Sequence, residues 1–394
     1  MINQKMRELG AKRSVIRELF EYGKKRKSEV GEDNVFDFSL GNPSVPAPKE
    51  VNLVLERLLR EEDSVKLHGY TSAEGDLSVR RAIAEYINRT EGEEISPECV
   101  YMTVGAAAAL TISLKALVSP GEEVITYAPY FPEYKVFVEA VGAKLVEVPG
   151  RDGDLLLDIE SIKAHINEKT AAVMINSPNN PTGVVFDEEN IKALADMLRQ
   201  MSEKLGRTIY LISDEPYREL VYDEVKVPYV TKYYDGTLVC YSFSKSLSIP
   251  GERIGYIVIS PRINDFASVR AAVAGAGRAL GFVCAPSMLQ RLVAECLGKT
   301  SDISVYDKNR RLLLSSLTEY GYEVIKPQGA FYLFIKSPSG DGVEFSERAK
   351  GMDILIVPSD DFGIPGYVRL SYCVKTETIE RALPIFKKLI ESYR

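Results

Sequence analysis

Two stretches read together decide the fold: Ala171-Ala-Val-Met-Ile-Asn-Ser-Pro-Asn-Asn-Pro-Thr-Gly183 and Ile209-Tyr-Leu-Ile-Ser-Asp-Glu-Pro-Tyr217. Each is a short apolar run that stops at a polar, turn-forming loop. A strand solvated on one side would alternate apolar with polar residues. These runs do not alternate, so both of their faces are covered. Between them, residues 187–201 carry apolar side chains at helical spacing, and strands joined through a helix pair in parallel. The pattern continues on either side, with further strands expected at 100–104, 123–127, 144–148, 238–243 and 255–260. The expected fold class is α/β, with a large, mostly parallel seven-stranded sheet flanked by helices.

Working outward, residues 15–20 have helical spacing and lead to the turn Gly41-Asn-Pro-Ser44. Residues 49–60 and 77–89 read as helices around a small, polar loop at 69–75 that holds Tyr70. From about residue 286 the pattern changes to long helices, three short strands and a terminal helix, which describes a smaller α+β domain. With 394 residues the chain exceeds the usual size of one hydrophobic core. The expected division is a large domain over 45–285, and a small one built from 1–44 and 286–394. Neither an internal repeat nor a low-complexity linker is visible, so firm packing between the two is expected.

Composition narrows the function. Against 56 Asp and Glu stand 49 Lys and Arg, a balance that attracts neither nucleic acid nor an anionic membrane, so small-molecule work is favoured. The basic cluster 24–27 reads as a solvated helix end. Apolar segments near 105–120 and 271–286 are interrupted by Lys115 and Arg278 and are too short or too polar to span a bilayer. The first residues carry no apolar stretch behind their charges, so they do not read as a secretory signal. Five cysteines lie far apart and never as Cys-x-x-Cys, which suggests neither a disulfide framework nor a zinc site and fits the cytoplasm.

Polar signals fall at the carboxyl ends of these strands, where ligands sit in α/β sheets. The strand at 238–243 runs into Lys245, followed eight residues on by Arg253 among glycines. A lysine amine condenses with a carbonyl, and pyridoxal phosphate needs both such an amine and a clamp for its dianion, which Ser242, Ser244 and Arg253 offer. Asp214 suits the ring nitrogen, and Tyr217 and Asn180 suit the phenolic oxygen. The segment Gly105-Ala106-Ala107-Ala108 brings bare amides to a helix start, where phosphate binds through N–H groups and the dipole. Phe131 or Tyr130 offers a flat ring to stack on the cofactor, and Arg369, inside an apolar run, suits a carboxylate held bidentately. Taken singly, each has a plain structural alternative: a turn-capping Asp, a buried Tyr, an Asx-turn Asn, a packed alanine helix, a buried ion pair.

In chain order, Ser39-Leu-Gly-Asn-Pro43, Gly69-Tyr-Thr-Ser-Ala-Glu-Gly75, Asn176-Ser-Pro-Asn-Asn-Pro-Thr-Gly183, Ser213-Asp-Glu-Pro-Tyr217, Ser242-Phe-Ser-Lys-Ser246, Gly251-Glu-Arg-Ile-Gly255 and Tyr367-Val-Arg-Leu-Ser371 resemble the class I pyridoxal-phosphate-dependent aminotransferases, of the aspartate-aminotransferase-like kind. The resemblance covers nearly the whole chain. It implies a transaminase moving an amino group from an L-amino acid, aspartate or another common one, to a 2-oxo acid such as 2-oxoglutarate. It implies that Lys245 carries the cofactor as an aldimine and moves the proton on the way through quinonoid to ketimine. Asp214 matches the ring-nitrogen partner, Tyr217 and Asn180 the donors to the phenolic oxygen, and Phe131 the stacking ring. Ser242, Arg253 and the amides of Ala106, Ala107 and Ala108 match the phosphate cup. Arg369, Asn180 and Gly41 match the grip on the substrate carboxylate. Tyr70 matches a residue that reaches the neighbouring subunit's phosphate, which implies a homodimer with shared sites.

One departure bears on substrate choice. Ala107 stands where a branch of aspartate-specific members has a lysine for the side-chain carboxylate. Two other functions share features with this reading: a carbon–sulfur lyase on the same scaffold, and a cofactor-binding regulator without catalysis, against which stands the lack of a helix-turn-helix extension.

Overall fold

The computed structural model describes residues 2–11, 14–151 and 153–394. Among these, seven strands form one sheet: β1 (Val100–Thr103), β2 (Glu123–Ala128), β3 (Lys144–Pro149), β4 (Thr170–Asn176), β5 (Tyr210–Asp214), β6 (Thr237–Ser242) and β7 (Gly255–Ile259). Their order across the sheet is β1-β7-β6-β5-β4-β2-β3, and β7 alone runs antiparallel to its neighbours. This is the mostly parallel sheet that the apolar runs predict. Because β1 and β6 are each antiparallel to β7, they point the same way, and the carboxyl ends of β1, β4, β5 and β6 share one edge.

Alternation along the strands explains why both faces are apolar. Ala172, Met174, Ile212 and Cys240 pack on one side with Leu110, Leu114 and Val273, from the helices Ala106–Leu117 and Phe266–Ala279. Val173, Ile175 and Leu211 pack on the other with Ile191, Leu194 and Leu198 of the helix Glu188–Leu205. Each such Leu or Ile contributes about 1.5–3 kcal/mol by leaving water. Asp187 caps that helix by accepting from the Asn190 amide, and Gly206, left-handed at φ 66°, ends it. The helix thus runs longer than its apolar spacing suggests, to Leu205, because a glycine and not a polar residue stops it.

A second, four-stranded sheet is built from β8 (Val324–Ile325), β9 (Tyr332–Lys336), β10 (Val357–Pro358) and β11 (Tyr367–Ser371), in the order β10-β11-β9-β8. Helices Ile303–Tyr320 and Thr376–Glu391 pack on it around Leu313, Leu317, Ile379 and Phe386. The amino-terminal segment joins this layer. Phe36–Asp37 pairs in parallel with Ile354–Leu355, and the Ser371 amide donates to the Phe38 carbonyl at 2.8 Å. That pairing brings residues 39–41 beside β11. The helix Ser287–Glu295, by contrast, packs on Lys49–Glu61 and Leu77–Glu91, its Leu292 and Val293 sharing a core with Val79 and Ile83.

Candidate active site

Register brings the strand-end residues together before any side chain is considered. Asn176 pairs with Asp214, Asp214 with Cys240, and Ser242 with Gly255. Asn176 then ties two of the loops: its amide nitrogen donates to the Asp214 carbonyl at 2.8 Å, and its side-chain oxygen accepts from the Asn180 amide at 2.7 Å.

Asp214 is 5% exposed. One carboxylate oxygen accepts from Tyr134 at 2.6 Å, while Oδ1 has no hydrogen-bond partner among the described residues. Burial, reinforced by neighbouring Glu215 and opposed by the Tyr134 hydrogen bond, pushes its carboxyl up to about 7. A buried carboxylate with a bare oxygen suits a cationic N–H donor. Phe131 stands nearby, edge-on to Tyr134 with ring centroids 5.9 Å apart.

Lys245 lies on the short turn Phe243–Ser246 that continues β6, and its Nζ donates to the Gly41 carbonyl at 2.8 Å. Burial, helped by the charges of Arg253 and Arg369 and opposed by Cys373, lowers its pKa to about 8. About a tenth of the amine is therefore neutral at pH 7, far more than for an ordinary lysine, and the neutral form is the nucleophile.

Arg253 presses on the start of the helix Ala106–Leu117. Gly105, at φ 88°, precedes that helix without a side-chain cap, so the amides of 106–108 have no intrahelical acceptor. A Cβ at Gly105 would lie 2.7 Å from Arg253 Nη2. Arg253 itself is left-handed at φ 51°, a strain of roughly 1–3 kcal/mol that fixes where its guanidinium points. Its hydrogen bonds go to Ser244 Oγ at 3.2 Å and the Pro250 carbonyl at 3.1 Å, and Ser244 in turn meets Ser242 Oγ at 2.8 Å. A guanidinium against the positive end of a helix, with no acid beside it among the described residues, is an arrangement that an anion completes. Gly105→Ala is expected to displace Arg253 and weaken binding of pyridoxal phosphate to the apoprotein about tenfold or more, since one charge-assisted hydrogen bond is worth ~1.5–3 kcal/mol. Fluorescence titration of the apoprotein checks this.

Arg369 is 2% exposed in β11. It donates to Asn180 Oδ1 at 3.1 Å and to the Ser39 carbonyl, its Nε has no partner, and it packs 4.7 Å from the Tyr332 ring and 5.2 Å from the Phe362 ring. Burial pulls its pKa down, but an arginine remains charged. Asn180 spends its oxygen on Arg369, which leaves its amide NH2 as a donor. The Tyr217 phenol is kept neutral by burial and meets the Tyr332 hydroxyl at 2.9 Å.

Lys245, Asp214, Tyr217, Asn180, Ser242, Arg253, Arg369, Gly41, Phe131 and the amides of Ala106, Ala107 and Ala108 are thus linked through direct contacts or shared elements. Tyr70 is not among them: it is 95% exposed. Tyr134, Tyr332, Asn176 and Ser39 belong to the site without having been singled out from sequence. Tyr134 reaches Asp214 across 80 residues of chain, and only its place in an aromatic cluster after Pro129 hinted at it.

A large mostly parallel sheet with a lysine, a bare aspartate oxygen and an anion cup at one edge defines a class of enzyme. Residues 33–386 match the family "Aminotransferase class I and II", and the chain belongs to it. It is an aminotransferase, and the family implies pyridoxal phosphate as cofactor. The chain is 32% identical over 356 residues to a probable aspartate/prephenate aminotransferase of Thermus aquaticus, covering 89% of this chain and 90% of that one. To the aspartate aminotransferase of Thermotoga maritima it is 31% identical over 366 residues, covering 92% and 93%. Among solved structures, an amino transferase from Eubacterium rectale superposes with a TM-score of 0.98 at 55% identity, covering 100% of this chain and 99% of that one. The aspartate aminotransferase of Thermus thermophilus with maleate gives 0.87 at 27% identity, covering 99% and 100%. These relatives favour amino transfer over elimination.

The residues present fit pyridoxal phosphate. Three cations, Lys245, Arg253 and Arg369, hydrogen-bond only to neutral groups among the described residues. A phosphate dianion and a substrate carboxylate would supply the missing negative charge, and Asp214 Oδ1 would suit a protonated ring nitrogen.

Proposed function

We propose that this chain transfers the amino group of an L-amino acid to a 2-oxo acid, with pyridoxal phosphate held covalently by Lys245. The observation that carries it is the charge pattern along one sheet edge: a lysine with its pKa lowered to about 8 near two arginines without acid partners, and a buried carboxylate with an unpartnered oxygen. When bound, the cofactor supplies an electron sink for the pair left at the substrate alpha carbon. Asp214 Oδ1 keeps the ring nitrogen protonated. The Asn180 NH2 and the Tyr217 hydroxyl donate to the ring oxygen, and Phe131 forms the wall against the ring. Ser242, Ser244, Arg253 and the amides of Ala106, Ala107 and Ala108 take the phosphate. Arg369 grips the substrate carboxylate beside Asn180 and the Gly41 backbone, fixing the alpha C–H bond within reach of Lys245. Lys245 Nζ would be the base that takes the proton from the substrate alpha carbon and carries it during the transfer.

A panel of amino donors with 2-oxoglutarate, read as amino acid formed, tests the reading. Pyruvate and ammonia from a cysteine-like donor, without amino transfer, would overturn it. Arg369→Lys keeps the charge but loses the planar fork. It is expected to lower kcat/KM about 30-fold or more, mostly through KM, because a buried charge-pair contact is worth ~2–5 kcal/mol. Steady-state kinetics with both substrates measures it.

The same reading includes two domains. The division drawn from sequence is supported by the two sheets, with the junction moved past residue 297 because 287–295 packs on the large layer. It also includes a homodimer, supported by the exposed Tyr70. Light scattering should give about twice the 43.8 kDa chain mass, and Tyr70→Phe should weaken cofactor retention. A cytoplasmic location is supported by five scattered free cysteines. Among the described residues, no helix is long and apolar enough to cross a membrane.

A further inference from the structure

We propose that Tyr332 is a positioning residue for both halves of this site, its hydroxyl orienting Tyr217 and its ring supporting the Arg369 guanidinium. The inference rests on the cofactor and carboxylate assignments made above.

Tyr332 is buried in β9. Phe334 sits directly opposite Arg369 in the register and Ser371 opposite Tyr332, so Tyr332 and Arg369 are diagonal neighbours on one face of the sheet. The guanidinium carbon lies 4.7 Å from the Tyr332 ring centroid, a cation–π contact inside a desolvated site. The ring therefore supports the group assigned to the substrate carboxylate.

The hydroxyl faces the other way. It lies 2.9 Å from the Tyr217 hydroxyl, its one hydrogen bond among the described residues. Each phenol carries one proton, so only one of the two donates across that gap. If Tyr217 gives its proton to the ring oxygen of the cofactor, Tyr332 must be the donor within the pair. That donation polarises Tyr217 and strengthens the hydrogen bond Tyr217 makes. Gly41 passes against the same hydroxyl: a Cβ there would lie 2.1 Å from the Tyr332 oxygen. Since the Gly41 carbonyl accepts from Lys245 Nζ, the tyrosine borders the lysine's anchor as well.

Two variants separate the roles. Tyr332→Phe keeps the ring and removes the proton. A weaker Tyr217 donation stabilises the anionic ring oxygen less, so the pH midpoint of the visible absorbance of Lys245-bound cofactor should move up by about half a unit. Turnover should fall about tenfold, with KM for amino donor and 2-oxoglutarate within about twofold of the unaltered enzyme. Tyr332→Leu removes the ring as well and should raise both KM values about tenfold further. An unchanged absorbance midpoint in Tyr332→Phe, or unchanged KM values in Tyr332→Leu, overturns the proposal. So does a lowered melting temperature in both variants without the split between kcat and KM. If the unaltered protein with pyridoxal phosphate shows no such absorbance, the cofactor reading itself fails, and the wild-type trace tells this case apart.

Discussion

Lys245→Ala is expected to lower kcat by about 10⁴-fold or more and to abolish the visible absorbance of covalently held cofactor. General-base catalysis alone accounts for ~10²–10⁴, and loss of the covalent attachment adds to it. The fold should survive. Lys245 is a cation in a desolvated position whose nearest charged neighbours include Arg253 and Arg369, so the apoprotein variant should melt no lower than the unaltered apoprotein. The lowered pKa gives a second readout: the rate at which apoprotein captures pyridoxal phosphate should rise about tenfold per pH unit up to about 8, then level as the amine becomes fully neutral. A variant that kept the absorbance, or a capture rate still climbing steadily to pH 10, would contradict the assignment.

Asp214→Asn should lower kcat by about 10²–10³-fold, the usual cost of removing one preorganised electrostatic partner. It should also stabilise the apoprotein. The folded-state pKa of Asp214 is raised from 3.8 to about 7, so the folded chain binds this proton more tightly than the unfolded one. The group favours folding fully below pH 3.8, and that advantage is lost as pH rises through 7. A shift of this size corresponds to about 4 kcal/mol. Asparagine carries no charge to desolvate and can still accept from Tyr134. Urea unfolding of the two apoproteins should therefore differ most at pH 8 and converge toward pH 4. Equal stability at pH 8 would mean that burial does not raise the Asp214 pKa. Bound cofactor should reverse the order, since its ring nitrogen gives the carboxylate its missing partner.

The two largest effects fall on residues that were legible in the sequence, for a local reason. Lys245, Asp214 and Asn180 each follow an apolar run buried on both faces, and an α/β sheet exposes its strand ends to ligands. The phosphate cup was half legible. Gly105 and the alanines mark a helix start, but nothing local shows that Arg253 presses on it with no acid beside it. Arg369 was conspicuous as a charge in an apolar run, yet whether it ended in an ion pair depended on what packed around it. The answer, two aromatic rings, an amide and a backbone carbonyl, comes from residues 39, 180, 332 and 362. Nothing local marks a role for Tyr134 or Tyr332, whose partners Asp214 and Tyr217 lie 80 and 115 residues away in the chain.

Periodicity and strand-end loops by themselves determined the sheet, its ligand edge and the residues placed there. The sequence order of the motifs carried the family. The tertiary structure alone decided that Asp214 Oδ1 and Arg369 Nε are left without partners, and that the Arg253 guanidinium against the helix end bonds only to a hydroxyl and a carbonyl. The physical reason is range. Backbone periodicity is written every two to four residues, whereas a vacant hydrogen bond is the outcome of every element that packs, or fails to pack, against that atom.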